Sequence, residues 1–430
     1  MRPLTWKSLA FARPAWRGIS RPDREILGIW LLLRLLTALW AAFVSPVRPR
    51  TAREQAIALW PPTAPFGSWL ERALIAPWER RDTTYYIDIV RRGYRADDGS
   101  AQFHPLLAWL ATPLAWAGVQ PLLALLLVSS LASALLLLAF ERLARLDLDP
   151  AEARTSTLLL AFSPVAFALF APYTEGLFLL WAVLCFLWAR RRSWWLAGAA
   201  GALATLTRQQ GVFLILPLAW ELWDASRRPA TDDAGPGSVA GGQSSVVSRR
   251  VLWRDWLALG LIPAGLLIWL VYRAVALNDL HANLSDPHAL IYSLLISPSA
   301  SKVVPVQVFM WPWQALWLAL TKFAQAPEYG LLIDLVLGFA FVALLVLAWR
   351  KMRISYRIWS LTIVLVSFGY HTGMLYPYMG LPRHLLLAFP VFIGLGPLLN
   401  RPRLRLLIVA VGLLGMLFLL LQYVIEGWVP

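Results

Sequence analysis

The chain has 430 residues, of which 59% are hydrophobic and only 15% are charged. That balance excludes an ordinary soluble domain, in which about 25% of residues are charged. The formal net charge of +15 raises the question of nucleic acid, but the basic residues lie in short clusters between apolar blocks. Membrane topology and lipid headgroups explain such clusters, so membrane lipids are predicted partners and nucleic acid is not. The single cysteine, Cys185, excludes an intrachain disulfide.

The apolar residues fall in repeated blocks of a length that a helix needs to cross a bilayer. Strands of a membrane barrel would alternate apolar and polar residues, whereas these blocks are apolar on all sides. The sequence therefore predicts an all-α polytopic membrane protein. The first block follows a basic N-terminal stretch and is too long for a signal-peptide core, so we expect an uncleaved signal anchor.

Positive-inside logic places the arginine clusters near 190, 250, 350 and 401 in the cytoplasm. We expect one membrane-embedded domain over 1–430, with residues 104–119 and 303–322 interfacial or re-entrant. A long extracytoplasmic loop over 46–103 and a Gly- and Ser-rich flexible cytoplasmic linker over 224–252 are also predicted. The blocks thread as about eleven transmembrane helices, near 27–45, 121–141, 155–172, 176–189, 194–207, 211–223, 255–277, 331–349, 358–378, 384–399 and 406–425.

Acidic residues are scarce, and one of them begins a predicted amphipathic helix in the first outer loop. Asp82, Tyr85, Tyr86 and Ile89 share one helical side by their spacing, and Gly93 is a predicted helix stop. We expect this helix to lie flat on the membrane. Asp82 either stabilises the N-terminus of the helix or carries a catalytic carboxylate, and the spacing leaves both open.

Further charged residues fall at the same predicted outer edge. Glu175 lies between two short spans, where an ionisable group indicates function or an interhelical salt bridge, for which Arg208 is a candidate partner. Arg383 and His384 lie at another outer edge. Arg34 lies within the first span, where snorkelling and a phosphate contact are equally reasonable. The threading thus brings Asp82, Glu175, Arg208 and Arg383 to one face.

These residues lie in longer motifs, which follow one another along the chain: Asp82-x-x-x-Tyr86-Ile87-x-Ile89-Val90-x-x-Gly93-Tyr94, Phe103-x-Pro105-Leu106, Tyr173-Thr174-Glu175-x-Leu177-Phe178, Thr207-Arg208-x-x-Gly211, Pro312-Trp313 and Pro382-Arg383-His384-Leu385 running to Phe389-Pro390. In content and order, these motifs resemble the bacterial relatives of the phosphatidylinositol-glycan class V mannosyltransferases, within the membrane-embedded GT-C glycosyltransferases. Three positions differ from the family pattern: Arg81 stands for a Trp, His104 for a Phe and His384 for a Tyr.

The resemblance implies a GT-C-like fold in a bacterial plasma membrane. It also implies inverting transfer of a sugar, with mannose expected, from a polyprenyl-phosphate carrier to a glycan or glycolipid hydroxyl on the extracytoplasmic face. Asp82 would be the general base. The expected substrate-binding residues are Glu175, Arg208, Arg383, His384, Tyr86, His104 and Arg34.

No metal-ligand cluster is visible in the sequence, so we expect neither a tightly held metal nor a cofactor, and the lipid-linked sugar is the substrate. A transporter or flippase of lipid-linked sugars is the alternative function. Such a protein favours charges near the middle of the membrane and internal repeats, whereas the charges here lie mostly at one predicted outer edge and the sequence shows no repeat. An inert assembly partner of another transferase is a third possibility.

Overall fold

The computed structural model describes residues 20–48, 69–96, 98–227, 251–278, 308–372, 377–378 and 380–425. The basic stretch before the first helix therefore lies outside the described residues. So do residues 49–68 of the predicted outer loop and residues 228–250 of the predicted linker.

The described residues are predominantly helical. One two-stranded antiparallel pair, β1 (Val308–Phe309) and β2 (Tyr370–His371), joins two loops. The α-helices, numbered along the chain, are α1 (Arg21–Val44), α2 (Trp69–Leu74), α3 (Asp82–Arg92), α4 (Leu106–Trp116), α5 (Pro121–Ala144), α6 (Pro150–Ala161), α7 (Glu175–Arg190), α8 (Trp194–Thr207), α9 (Ile215–Arg227), α10 (Trp253–Leu277, with internal 3₁₀ and π turns), α11 (Pro312–Gln325), α12 (Tyr329–Ala348), α13 (Ile354–Gly369), α14 (Leu381–Leu385), α15 (Pro390–Leu395) and α16 (Pro402–Val424).

Several helical segments are long and apolar enough to cross a membrane, which confirms the all-α, multi-pass membrane fold. They are Arg21–Val47, Pro121–Ala144, Trp253–Leu277, Tyr329–Lys351 and Pro402–Val424.

The eleven predicted crossings are not confirmed, because some predicted spans are broken in the structure. The span predicted over 155–172 ends as an α-helix at Ala161 and continues as the 3₁₀ turn Pro164–Leu169. The span predicted over 384–399 consists of the short helices α14 and α15. Proline at the first turns of these pieces removes backbone donors and divides the apolar blocks.

Helix α7 lies at the centre of the bundle and packs against α5 and α8, while α8 also packs against α10. The α8–α10 contact depends on small residues. A Cβ at Gly198 would overlap the carbonyl of Ala258, and a Cβ at Gly265 would overlap the carbonyl of Ala202. Membrane helices associate closely where small residues let their backbones approach in this way.

Salt bridges join the helices at one end of the bundle. This end contains Glu141, Asp147 and Arg190 and is called the basic end below. Glu141 of α5 accepts hydrogen bonds from Arg145 at 2.7 Å and from Thr157 of α6 at 2.7 Å. Asp147, in the α5–α6 connection, binds Arg190 at the end of α7 at 2.7 Å and accepts from the Tyr356 hydroxyl of α13 at 2.9 Å. The residues of the predicted site lie at the opposite end of α7, which begins at Glu175.

Candidate functional site

Asp82 is the first residue of α3, directly after a tight turn. The preceding residue, Arg81, has φ +50°, and α3 then runs to Arg92 and ends at Gly93, whose φ is +77°. Glycine adopts this conformation without the steric cost of a Cβ, so the predicted helix stop is confirmed. The apolar side of α3 is buried, whereas the Asp82 side chain is 40% exposed.

Glu175 and Arg208 are placed by the ends of α7 and α8. Glu175 begins α7, and only 1% of its side chain is exposed. Arg208 directly follows α8, and the chain then turns back sharply on itself. Gly211 allows this turn, because a Cβ there would collide with the backbone of Ala204 and Thr205. The glycine of the Thr207-Arg208-x-x-Gly211 motif is therefore needed because no larger residue fits beside the end of α8.

Arg383 lies in the short helix α14, at a third corner of the site. Gly380 enters this helix with φ +81°. The Asp334 carboxylate of α12 accepts the backbone N–H of Leu381 at 3.1 Å. A buried carboxylate is a strong acceptor for a donor at a helix N-terminus, so Asp334 fixes the start of the helix that carries Arg383.

These four side chains form one continuous charge network, which is the name used below for Asp82, Glu175, Arg208 and Arg383. Arg383 binds the Asp82 carboxylate through Nη1 at 3.1 Å and the Glu175 carboxylate through Nε at 3.1 Å. Arg208 Nη1 binds the same Glu175 oxygen at 2.5 Å. Segments far apart in the sequence thus meet at one point of the bundle.

The network pairs two carboxylates with two guanidinium groups inside the bundle. Burying a charge is costly unless it is paired, and each arginine here faces a carboxylate. The second oxygen of Glu175, Oε2, is buried and accepts no hydrogen bond from the part of the chain described. Asp82 is the member whose side chain remains substantially accessible. The arrangement therefore combines an accessible carboxylate with two fixed cations.

Two neighbouring residues support the arginines and were not predicted as site residues. The Tyr173 ring lies 4.7 Å from the Arg383 guanidinium, a cation–π contact. The Thr174 hydroxyl accepts a hydrogen bond from Arg208 Nη1 at 3.0 Å. Both directly precede Glu175, so the Tyr173-Thr174-Glu175 motif contained the signal that would have identified them.

His104, Tyr86 and His384 lie beside the network rather than in it. His104 Nδ1 contacts the Thr205 carbonyl at 2.9 Å, and burial lowers the pKa of its imidazole to about 3. Tyr86 lies one turn after Asp82 on α3, and burial raises the pKa of its phenol. The His384 ring meets Tyr370 edge-on at 5.4 Å. His104 and Tyr86 are therefore neutral near pH 7.

Arg34 contacts a backbone carbonyl and a tryptophan ring close to the charge network. Its Nη1 donates to the Phe170 carbonyl at 3.1 Å, and its guanidinium lies 5.1 Å from the Trp78 ring. It contacts no member of the charge network. Trp78 lies in the segment just before Asp82, so Arg34 packs against the segment that leads into the charge network.

Metal ligands are not clustered in the ranges that the structure describes. No group of three or more His, Cys, Asp or Glu side chains there is arranged to hold a metal ion.

Fold and site together define a multi-pass, all-α membrane protein with a charged site at one end of its helix bundle. Residues 101–233 match the family model described as dolichyl-phosphate-mannose-protein mannosyltransferase. This range contains Glu175 and Arg208. The expected resemblance to the GT-C glycosyltransferases is confirmed over this part of the chain. Among curated proteins, none matches the chain.

Solved structures with a similar chain path come from the archaeon Archaeoglobus fulgidus. One is its oligosaccharyltransferase with Zn and sulfate, at 13% identity and a TM-score of 0.40, matching 93% of this chain and 53% of that one. Another is the archaeal oligosaccharyltransferase AglB with an inhibitory peptide and a dolichol-phosphate, at 13% identity and a TM-score of 0.38, matching 92% of this chain and 56% of that one. This chain thus spans little more than half their length.

Proposed function

We propose that this chain is a glycosyltransferase that moves a sugar from a polyprenyl-phosphate carrier to an acceptor hydroxyl, with Asp82 as the general base. The observation that carries the proposal is the charge network, in which an accessible carboxylate lies 3.1 Å from a buried arginine. The family match over residues 101–233 supports the lipid-phosphate donor and favours mannose as the sugar.

The reaction needs one base and a site for the departing phosphate. As the acceptor oxygen bonds to the anomeric carbon, the bond from that carbon to the phosphate oxygen breaks, and its electrons leave with the phosphate. The acceptor proton passes to the Asp82 carboxylate. Attack on the face opposite the phosphate inverts the anomeric configuration. A phosphate leaves as a stable anion, so a second carboxylate acting as general acid is not required.

Arg208 and Arg383 are the groups that we assign to the leaving phosphate. Fixed cations stabilise developing negative charge most effectively where water is excluded, and both guanidinium groups are held by Glu175. Glu175 then has two tasks. Its Oε1 fixes the arginines, and its buried Oε2 is available to accept a hydrogen bond from a sugar or acceptor hydroxyl.

The remaining predicted residues would shape the pocket around the sugar. His104, neutral and anchored to the Thr205 carbonyl, and His384, beside Arg383, replace aromatic residues of the family pattern. We assign them to recognition of the sugar or acceptor. Arg34 would act only through Trp78. The motif order favours the class V branch, with the site on the extracytoplasmic face of a bacterial plasma membrane.

A product assay in proteoliposomes tests this function. Purified protein receives polyprenyl-phosphate-[³H]mannose, first alone and then with a glycolipid fraction or a membrane-protein fraction as acceptor. We expect label in one acceptor fraction, with an equal amount of polyprenyl phosphate released. The two fractions separate a glycolipid acceptor from the protein acceptor that the family description names. Labelled donor that changes leaflet without release of polyprenyl phosphate would instead show a flippase.

A further inference from the structure

The short segment before Asp82 is held by the far end of the chain. The Tyr423 hydroxyl, in the last turn of α16, donates to the Trp78 carbonyl at 2.8 Å. Its ring lies 6.1 Å from the Trp78 ring, centroid to centroid. Both side chains are fully buried. The C-terminal end of α16 is therefore docked on residues 78–81, which we call the base turn.

A second contact joins the same two segments. Arg80 Nε donates to the Val424 carbonyl at 2.9 Å. The last carbonyl groups of a helix have no partner within the helix and carry partial negative charge, so a guanidinium group is a favourable cap for them. Arg80 is 5% exposed, which protects this contact from competing water.

The base turn has a backbone conformation that needs such support. Arg81 has φ +50° and ψ −126°, values close to the second residue of a type II′ turn, where glycine is usual. The Thr83 N–H donates to the Arg80 carbonyl at 3.1 Å and closes the turn. A non-glycine residue keeps this conformation only where surrounding contacts enforce it.

Tyr423 also contacts the aromatic ring that packs against Arg383. Its ring meets the Tyr173 ring edge-on at 5.7 Å, and the Tyr173 ring lies against the Arg383 guanidinium. One buried tyrosine thus contacts the turn that precedes Asp82 and the ring that supports Arg383.

We propose that the C-terminal end of α16 is a positioning element for Asp82, with Tyr423 as its central residue. By holding Trp78 and Arg80, it enforces the turn at Arg81 that starts α3 with the Asp82 carboxylate beside Arg383. Tyr423 is a positioning residue and takes no part in the chemistry. The inference rests on the proposed role of Asp82.

Tyr423→Phe tests this role, because it removes the hydroxyl and keeps the ring. In the proteoliposome assay with polyprenyl-phosphate-[³H]mannose, we expect kcat to fall about 10- to 100-fold, since small misplacements of reacting groups have effects of this size. The KM for the donor should stay within threefold. Tyr356→Phe is the matched control, since its hydroxyl is bound to Asp147 at the basic end. Its kcat should stay within threefold of the parent.

A rescue experiment separates positioning from general packing. Glycine adopts the Arg81 conformation without strain. In an Arg81→Gly background, the base turn should therefore depend less on its contacts with the C-terminal end of α16. The fold-decrease in kcat caused by Tyr423→Phe should be at least five times smaller in the Arg81→Gly background than in the parent protein. An equal loss in both backgrounds, or Tyr423→Phe activity within threefold of the parent, would overturn the inference.

Asp82→Asn in the same series distinguishes the two levels of the proposal. An inactive Asp82→Asn protein beside a fully active Tyr423→Phe protein refutes the positioning role and leaves the proposed base in place. A fully active Asp82→Asn protein refutes the base, and the positioning role with it.

Discussion

Replacing Glu175 with glutamine isolates the charge that holds the two arginines. One oxygen of Glu175 binds Arg208 at 2.5 Å and Arg383 at 3.1 Å. The two cationic nitrogens are therefore no more than about 6 Å apart, where their repulsion is about 3 kcal/mol at an effective dielectric constant of roughly 20. With Glu175 only 1% exposed, removing its charge should destabilise the fold by about 3–5 kcal/mol.

Activity should fall more than stability alone explains. Without the carboxylate, the guanidinium groups move apart and no longer converge on the leaving phosphate. We expect kcat per folded molecule to fall about 100-fold, the effect of misplacing a group by about 1 Å. The KM for the donor should change less, because the site gains net positive charge. Glutamine cannot replace the lost charge, although its shape is almost the same.

Glu141→Gln is a matched control at the basic end. Glu141 is also buried and also lies between two arginines, Arg145 at 2.7 Å and Arg154 at 3.4 Å. Both variants should unfold at lower temperature in detergent, measured by size-exclusion chromatography after heating. At a temperature where both remain folded, only Glu175→Gln should lose transfer activity. Equal activity losses, or a Glu175→Gln protein within threefold of the parent, would refute this reasoning.

Three further variants test other parts of the structure. Arg383→Lys keeps the charge, but one ammonium group cannot span both carboxylates as the guanidinium does, so kcat should fall about 10- to 100-fold with folding retained in size-exclusion chromatography. Gly211→Ala should reduce the yield of folded protein, because its Cβ meets backbone, whereas Gly260→Ala, with nothing within 4 Å of its Cβ, should not. His104→Asn tests the pH dependence. Burial lowers the folded-state pKa of His104 to about 3, so stability is fully present above the unfolded-state pKa of about 6.5 and is lost as the pH falls from there towards 3. Between pH 6.5 and 5 the variant should lose stability less steeply than the parent, and identical slopes would contradict the burial argument.

Local features of the site could be predicted from the sequence. Spacing identified α3, and Gly93 marked its end, because helix periodicity and helix stops depend on nearby residues. The Glu175–Arg208 salt bridge was one of two roles predicted for Glu175, because the sequence places both residues at the ends of apolar blocks. Composition alone established the membrane class, since apolar block length is a direct consequence of bilayer thickness.

Features that depend on distant parts of the chain could not be predicted. The contact between Trp78 and Tyr423 joins the segment before α3 to α16. No periodicity of either residue in the sequence predicts this contact. The positive φ of Arg81 could not be predicted, because glycine is the usual residue at this position of the turn and arginine does not indicate it. The predicted span count is not confirmed around Pro164 and Pro390, where apolar blocks long enough to cross are divided into short helical turns.

Asp82→Asn measured in proteoliposomes tests the central claim most directly. The substitution keeps the size of the side chain and removes the base, and base catalysis contributes about 100- to 10,000-fold to such reactions. With polyprenyl-phosphate-[³H]mannose and the acceptor fraction that the parent protein labels, we predict at least a 100-fold lower rate of polyprenyl phosphate release from a protein that is equally folded. Release within threefold of the parent rate would contradict the assignment of Asp82 as the base.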